Sequence, residues 1–498
     1  MTSLWLDRTG TIPTDSFIDQ GRYDTVIVGG GLTGLTTALL LARSGQRVAV
    51  LEARTLAAVT TGNTTGKLSL LHGGQLSQLL AANSVDVAQA YVDANREGQQ
   101  WMLRYCNEHH VPFQEHDAYT YAGTPGGEEQ VRREYEACRT AGLDVTLETD
   151  TALPYPTWGA VRLADQAQFD PLDVVEALTR DVRAHGGHVV EGAFVTGIDK
   201  NAGGIETRTE NGVIRSDRVV LATGTPILNR GGHFARLQPL RSYALAFTVP
   251  GTVPHGMYLS IDSPTRSLRT SPTHGEEHLI VGGNGHVVGR QGSALARVRD
   301  LEAWTAEHFP NAVLTHSWSA QDYRSLDRAP YAGPITPGDD RIFVATGFNK
   351  WGMTNAVAAS LALAGRLLDG AMAWADTLYD RPVTIADAAD AVQVNGSVGF
   401  EMAKDWVSQA LRSRPDAPPA EGTGMVYREG VRPVGACTVG GVTNRVSAVC
   451  PHMHGVLSWN DDEASWDCPL HGSRFTHDGR RLEGPALSDL ERLPLEGA

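Results

Sequence analysis

Thr25-Val26-Ile27-Val28-Gly29-Gly30-Gly31-Leu32-Thr33-Gly34 decides how this chain begins to fold. Its β-branched start reads as a strand, its glycines as a turn, and the apolar stretch from Leu32 to Arg43-Ser44-Gly45 as a helix. Arg47 to Leu51 reads as a second strand. Strand, helix and strand form a βαβ unit whose parallel pair is joined by a right-handed crossover. Inside it, Gly29, Gly31 and Gly34 satisfy G-x-G-x-x-G, and Glu52 follows 18 residues after Gly34, at the end of the second strand. The chemistry explains the residue types. Gly29 serves a tight turn, and Gly31 lets backbone N–H groups approach a pyrophosphate at the helix N-terminus. Gly34 permits close helix–strand packing, and Glu52 accepts from ribose hydroxyls. A bound dinucleotide is expected.

Working outward, helices are expected over Val85–His109, Gly127–Ala141 and Leu295–His308, and from Met353 to Leu368. Asp170-Pro171 reads as an N-cap followed by Pro at the first helical position, opening a helix to about His185. Strands are expected at His188–Val195, Val219–Ala222 and Ile342–Ala345, with an antiparallel sheet between about Leu240 and Val281. Ser413 to Gly424 is rich in Pro, Ala, Glu and Gly without periodicity and reads as part of a linker. The segment beyond it, with short alternating strands and Gly/Asp turns, reads as a small all-β module. The expected division is 1–390, a linker at 391–424, and 425–498.

Val219-Val220-Leu221-Ala222-Thr223-Gly224 and Phe343-Val344-Ala345-Thr346-Gly347-Phe348 both end a strand in Ala-Thr-Gly, and the second precedes Gly352-Met353-Thr354-Asn355. With the fingerprint, these segments make Gly21 to about Gly370 resemble the D-amino-acid-oxidase or glycine-oxidase family of FAD enzymes. The resemblance implies an α/β FAD-binding domain of the Rossmann-like, glutathione-reductase type, with an inserted antiparallel α+β substrate domain. It also implies FAD contacts at Gly29, Gly31, Gly34, Glu52, Arg54, Thr65, Lys67, Val195, Gly224, Gly347, Gly352, Met353 and Thr354. No second G-x-G-x-x-G exists, so NAD(P)H is not expected as the donor.

Cys450-Pro451-His452, fifteen residues, then Cys468-Pro469-Leu470-His471-Gly472-Ser473 is C-x-H…C-x-x-H. Two Cys and two His in this order could hold a 2Fe-2S cluster, the Cys on one iron and the His on the other, or a zinc ion. The continuation through Gly472-Ser473-Arg474-Phe475 resembles Rieske modules beyond the ligands, which implies Cys450, His452, Cys468 and His471 as cluster ligands. Rieske proteins of cytochrome bc complexes carry a bridging cysteine pair where this chain has Gly455 and Leu470, and Tyr where it has Phe475. Fewer donors to sulfur place the expected potential in the lower half of the roughly −150 to +300 mV Rieske span. His454 is expected as an exposed loop side chain, and Cys106, Cys138 and Cys437 as core.

The 498 residues carry 42 basic and 57 acidic side chains, a net charge of −15 that repels phosphate backbones and anionic lipid, so nucleic acid is not an expected partner. No apolar run approaches the ~18–20 residues that span a bilayer, and Met1–Gly10 has no signal-peptide pattern, so a cytoplasmic location without membrane attachment is expected. Five cysteines are too few for a disulfide scaffold. The basic residues divide into 38 arginines and four lysines, Lys67, Lys200, Lys350 and Lys404. Lys67 lies in the hydroxyl-rich run Thr60–His72 and Lys350 in Gly347–Gly352, both flavin-facing by resemblance. A compact ammonium there can stabilise reduced flavin or organise water or oxygen at its reactive edge. On the sheet implied to bind substrate, Tyr258, Arg269 and His286 lie on successive strands and are further catalytic candidates.

Nearly the whole chain resembles a bacterial family of flavin–Rieske oxidoreductases. It is expected to oxidise the C–N bond of a small amine or amino acid by hydride transfer to FAD. The electrons would pass singly through the cluster to a one-electron carrier or oxygen. A cluster-fed flavin reductase or hydroxylase, and a non-catalytic electron-transfer or redox-sensing protein, are the alternatives.

Overall fold

The structure is a computed structural model that describes residues 2–273, 275–289, 292–370, 372–381 and 417–495. Residues 391–416 of the expected linker fall outside these. The chain divides into two compact units, Met1–Gly224 with Ser242–Gly285 and Val298–Pro382, and Thr225–Arg241 with His286–Arg297 and Val383–Ala498.

In the first unit, Arg22–Val28 forms the strand expected before the glycines. It lies between two parallel neighbours, with Val26 opposite both Ala49 of Val48–Leu51 and Val219 of Gly212–Leu221. Ile342–Thr346 pairs parallel to Gly212–Leu221, and His188–Val190 parallel to Val48–Leu51. All four residues of Val48–Leu51 are buried, the composition of a strand covered on both faces. Helix Leu32–Arg43 buries Leu35, Leu39 and Leu41 completely. It is tied to helix Gly352–Leu367 where Ser360 Oγ donates to Thr33 O at 2.9 Å and Thr37 Oγ1 to Ser360 Oγ at 3.0 Å. Helix Val85–His109, capped by Ser84, comes so close to Gly352–Leu367 that a Cβ on Gly98 would stand 2.8 Å from Thr354 O. Asp170 caps helix Pro171–Ala184 by accepting from Leu172 N at 2.8 Å.

One expectation is corrected. His188–Val195 is not one strand: pairing stops at Val190 and resumes in Val195–Asn201. Gly192 turns at φ +65°, and the amides of Gly192 and Ala193 are taken by the carbonyls of Arg54 and Glu52. The antiparallel sheet expected between about Leu240 and Val281 is present and is extended by a parallel neighbour from elsewhere in the chain. Arg266–Thr273 runs antiparallel to Met257–Ser260 and Glu276–Val287, but Met257–Ser260 runs parallel to Phe113–Tyr121. Those two strands are separated by more than a hundred residues, so no hairpin dictates their sense.

The second unit is all-β where the C-terminal segment is described. Gly424–Glu429, Arg432–Val439 and Val442–Ser447 form one antiparallel sheet, and Ser458–Asn460, Ser465–Asp467, Arg474–Thr476 and Arg481–Glu483 another. Trp466, Phe475 and Cys437 are fully buried in its core.

Candidate active site and iron–sulfur centre

The glycine-rich turn is built for close approach. Gly29 has φ +112°, and a Cβ there would stand 2.4 Å from Ala222 O; one on Gly34 would stand 1.9 Å from Gly29 O. Gly31 is the N-cap of Leu32–Arg43 without side-chain capping, and Leu32 N is met by Thr61 Oγ1 at 3.1 Å. Glu52 Oε2 accepts from Gly30 N at 2.8 Å and Oε1 from Arg54 N at 2.9 Å, so the carboxylate braces the turn beside which a ribose would lie. Burial raises its pKa. Val195 starts the strand that follows the Glu191–Phe194 break. This strand–turn–helix cradle fits a dinucleotide.

The other flavin-motif residues lie on three segments. Thr65 O accepts from Arg269 Nη1 at 2.6 Å, and Gly66 turns at φ +71° against Phe169 O. Lys67 follows, buried, its Nζ donating to Ser267 Oγ at 2.5 Å and Tyr258 O at 3.0 Å. Burial, with Arg269 adding positive charge, lowers the Lys67 pKa to about 7. On the second segment Gly347 turns at φ +80°, and Asn349 and Lys350 also have positive φ, +49° and +70°. Such consecutive non-glycine residues store strain that the surroundings must hold. Asn349 Nδ2 donates to Gln75 Oε1 at 2.6 Å, and Lys350 N to Asp322 Oδ2 at 2.5 Å. Burial raises Asp322 to about 6, and enclosure lowers Lys350 to about 8 even with Asp322 beside it. Gly224 turns at φ +75°, its carbonyl accepting from Thr346 Oγ1, so the two Ala-Thr-Gly motifs are bonded to each other.

Gly352 opens the helix over which Met353 and Thr354 are buried. Thr354 leads to a residue that sequence reading passed over. His72 Nδ1 lies 2.8 Å from Tyr91 OH and Nε2 2.7 Å from Ser69 O, its ring stacked on Trp351 at 4.4 Å. Burial lowers its pKa to about 3, so it is neutral. Only its place at the end of the hydroxyl-rich run could have flagged it. Of the substrate candidates, Tyr258 is buried and stacked on Tyr119 at 4.8 Å. Arg269, also buried, donates to Thr65 O, Phe169 O and Thr270 O and lies over Trp5, so it clamps the backbone that leads to Lys67. His286 is half-buried, its Nδ1 donating to Val287 O at 3.0 Å, and falls in the second unit.

In the second unit, Cys450 and Cys468 head two loops of the same pattern. Cys450 N donates to Gly455 O and His454 N to Cys450 O; Cys468 N donates to Ser473 O and Gly472 N to Cys468 O. His454 thus stands where the other loop has Gly472, and like it has positive φ, +57°, with its side chain exposed. Cys450 receives backbone N–H bonds from His452 and Met453 and the Ser473 hydroxyl, Cys468 those from Leu470 and His471. A hydrogen bond from Cys468 is the chief cause that draws Cys450 down to about 7, while Cys468 is pushed up by the same bond and by burial. The His452 and His471 rings face each other at 5.0 Å and 85°, and His452 Nδ1 is buried with no hydrogen-bond partner among the described residues. Among those residues no three of His, Cys, Asp or Glu are grouped to hold one metal ion. Two thiols and two imidazoles on a pair of matching loops are the donor set of a 2Fe-2S cluster with the Cys on one iron and the His on the other. Leu470 packs where a bridging cysteine would be, its side chain 2.7 Å from a Cβ placed on Gly455.

A dinucleotide cradle with flavin motifs in one unit, and paired Cys–His loops in the other, define a flavin oxidoreductase joined to an iron–sulfur domain. The family model described as FAD dependent oxidoreductase matches residues 24–366, and that of the Rieske [2Fe-2S] domain residues 425–494. The chain belongs to the FAD dependent oxidoreductase family, binds FAD, and carries a Rieske domain with a 2Fe-2S cluster. It is 30% identical to the Rieske 2Fe-2S iron-sulfur protein YhfW of Bacillus subtilis (strain 168), over 99% of this chain and 98% of that protein. Glycine oxidase from Geobacillus kaustophilus is similar in structure, with a TM-score of 0.60 at 20% identity over 71% of this chain and 96% of that one. L-proline dehydrogenase from P. horikoshii gives a TM-score of 0.58 at 18% identity, over 71% and 95%. No helix among the described residues is long and apolar enough to cross a membrane.

Proposed function

We propose that this enzyme oxidises the C–N bond of a small amine or amino acid and sends the electrons singly to an external one-electron carrier or oxygen. The observation that carries the reading is the presence, in one chain, of a flavin oxidoreductase fold and a Rieske domain. FAD supplies a two-electron hydride acceptor and the cluster a one-electron relay. The names glycine oxidase and L-proline dehydrogenase, borne by proteins of the same fold, favour an amino-acid substrate.

The thirteen FAD contacts and four cluster ligands named above stand as proposed sites. Lys67 is the residue proposed to act at the flavin edge: with its amine near neutrality it can hold or release a proton at Nζ, between Ser267 Oγ and Tyr258 O. Lys350 presents a second amine from a strained turn. Arg269 is proposed to position Lys67, and Tyr258 to line the same region; His286 is kept as a substrate-side candidate. The test is an anaerobic stopped-flow screen of amines and amino acids. Bleaching of the flavin by one of these classes is expected. Bleaching by NADH at micromolar concentration, with none by any amine, would overturn the reading.

A further inference from the structure

We infer that Asn229 is a positioning residue of the iron–sulfur centre, accepting the Nε2–H of His452 and thereby lowering the cluster's midpoint potential. Asn229 Oδ1 lies 2.6 Å from His452 Nε2, and both residues belong to the second unit. A side-chain carbonyl oxygen can only accept, so Nε2 carries the hydrogen. The lone pair then resides on Nδ1, the buried nitrogen with no hydrogen-bond partner among the described residues. Asn229 therefore selects the tautomer in which Nδ1 is the ligating atom.

The contact is held by a strap. Asn229 stands five residues after Gly224, on the segment Thr225–Arg241. Phe234 of that segment meets the His471 ring edge-on at 5.6 Å and 89°. Its last residue, Arg241, is 1% exposed and donates to Glu463 Oε2 at 2.8 Å and Asp467 Oδ2 at 2.7 Å, Asp467 being the residue before Cys468. One segment of the flavin-family sequence thus touches both histidine ligands and the residue preceding a cysteine ligand. A carbonyl accepting from a coordinated imidazole makes the ring a stronger donor, which stabilises the oxidised cluster.

The inference rests on His452 being a ligand and not on the proposed amine chemistry, so the test needs no substrate: potentiometric EPR on the full-length holoenzyme. Asn229→Leu is expected to raise the midpoint, and Asn229→Asp, whose carboxylate is a stronger acceptor, to lower it. A tenfold change in the oxidised-to-reduced ratio at fixed potential, 59 mV for one electron, is the size sought between the two variants. If Asn229→Leu loses iron, Asn229→Asp decides alone. Wild-type midpoints in iron-replete Asn229→Asp would overturn the inference, whereas a wild-type protein with no 2Fe-2S signal would overturn the ligand assignment with it.

Discussion

Lys67 holds its amine against two neutral oxygens and in the field of a nearby arginine, with no carboxylate among its hydrogen-bond partners. Its pKa near 7 lies below the 10.5 of an unfolded chain, so between those values the folded chain binds fewer protons than the unfolded one. Its contribution to stability therefore rises with pH across that window and is at its worst below pH 7. Lys67→Met removes this penalty. The variant is expected to gain on wild type in denaturant titrations at pH 6 and to give up that gain by pH 9; a difference independent of pH would contradict the lowered pKa. The same substitution should leave FAD bound but slow one flavin half-reaction by an order of magnitude or more, as losing a positioned charge costs ~10²–10³. The scarcity of lysine led to Lys67 and Lys350 in the sequence. Their partners were hidden: Ser267 is 200 residues from Lys67, and the left-handed turn at Asn349-Lys350 is imposed by Gln75, Tyr323 and Asp322 from elsewhere in the chain.

The first βα turn separates two glycines that its motif treats alike. A Cβ on Gly34 would meet Gly29 O at 1.9 Å, a backbone atom that cannot yield without breaking the turn, whereas one on Gly31 would meet only Thr61 Oγ1 at 3.0 Å. Gly34→Ala is expected to give protein without FAD, or insoluble protein, because such overpacking costs ~1–3 kcal/mol or more. Gly31→Ala should fold and bind FAD more weakly, as shown by cofactor content after gel filtration; equal FAD retention by both variants would refute the distinction. Local signals explain why helix limits such as Val85–His109 and the Asp170 cap were readable. The break after Val190 was not, because it depends on bonds to Arg54 and Glu52 rather than on residues of the strand itself. The parallel pairing of Met257–Ser260 with Phe113–Tyr121 is likewise set by segments far apart in sequence.

Across the molecule, the two cofactor sites draw on separate cores, one running through Ile27, Leu35 and Val50 and the other around Trp466 and Phe475. Cys468→Ser should accordingly abolish the 2Fe-2S signal while FAD stays bound and substrate still bleaches it. Reduction of a one-electron acceptor should fall at least tenfold. Undiminished acceptor reduction would remove the cluster from the electron path. Metal analysis of the wild type should return two irons per FAD, with zinc well below stoichiometric. The second unit is assembled from three stretches, Thr225–Arg241, His286–Arg297 and Val383–Ala498, of which only the last is the recognisable Rieske sequence. A Rieske module taken from another protein and spliced on at the linker would arrive without the two inner stretches matched to it. Exchange of such modules by recombination at one breakpoint is therefore disfavoured, and the two halves of this chain are expected to have been inherited as a pair.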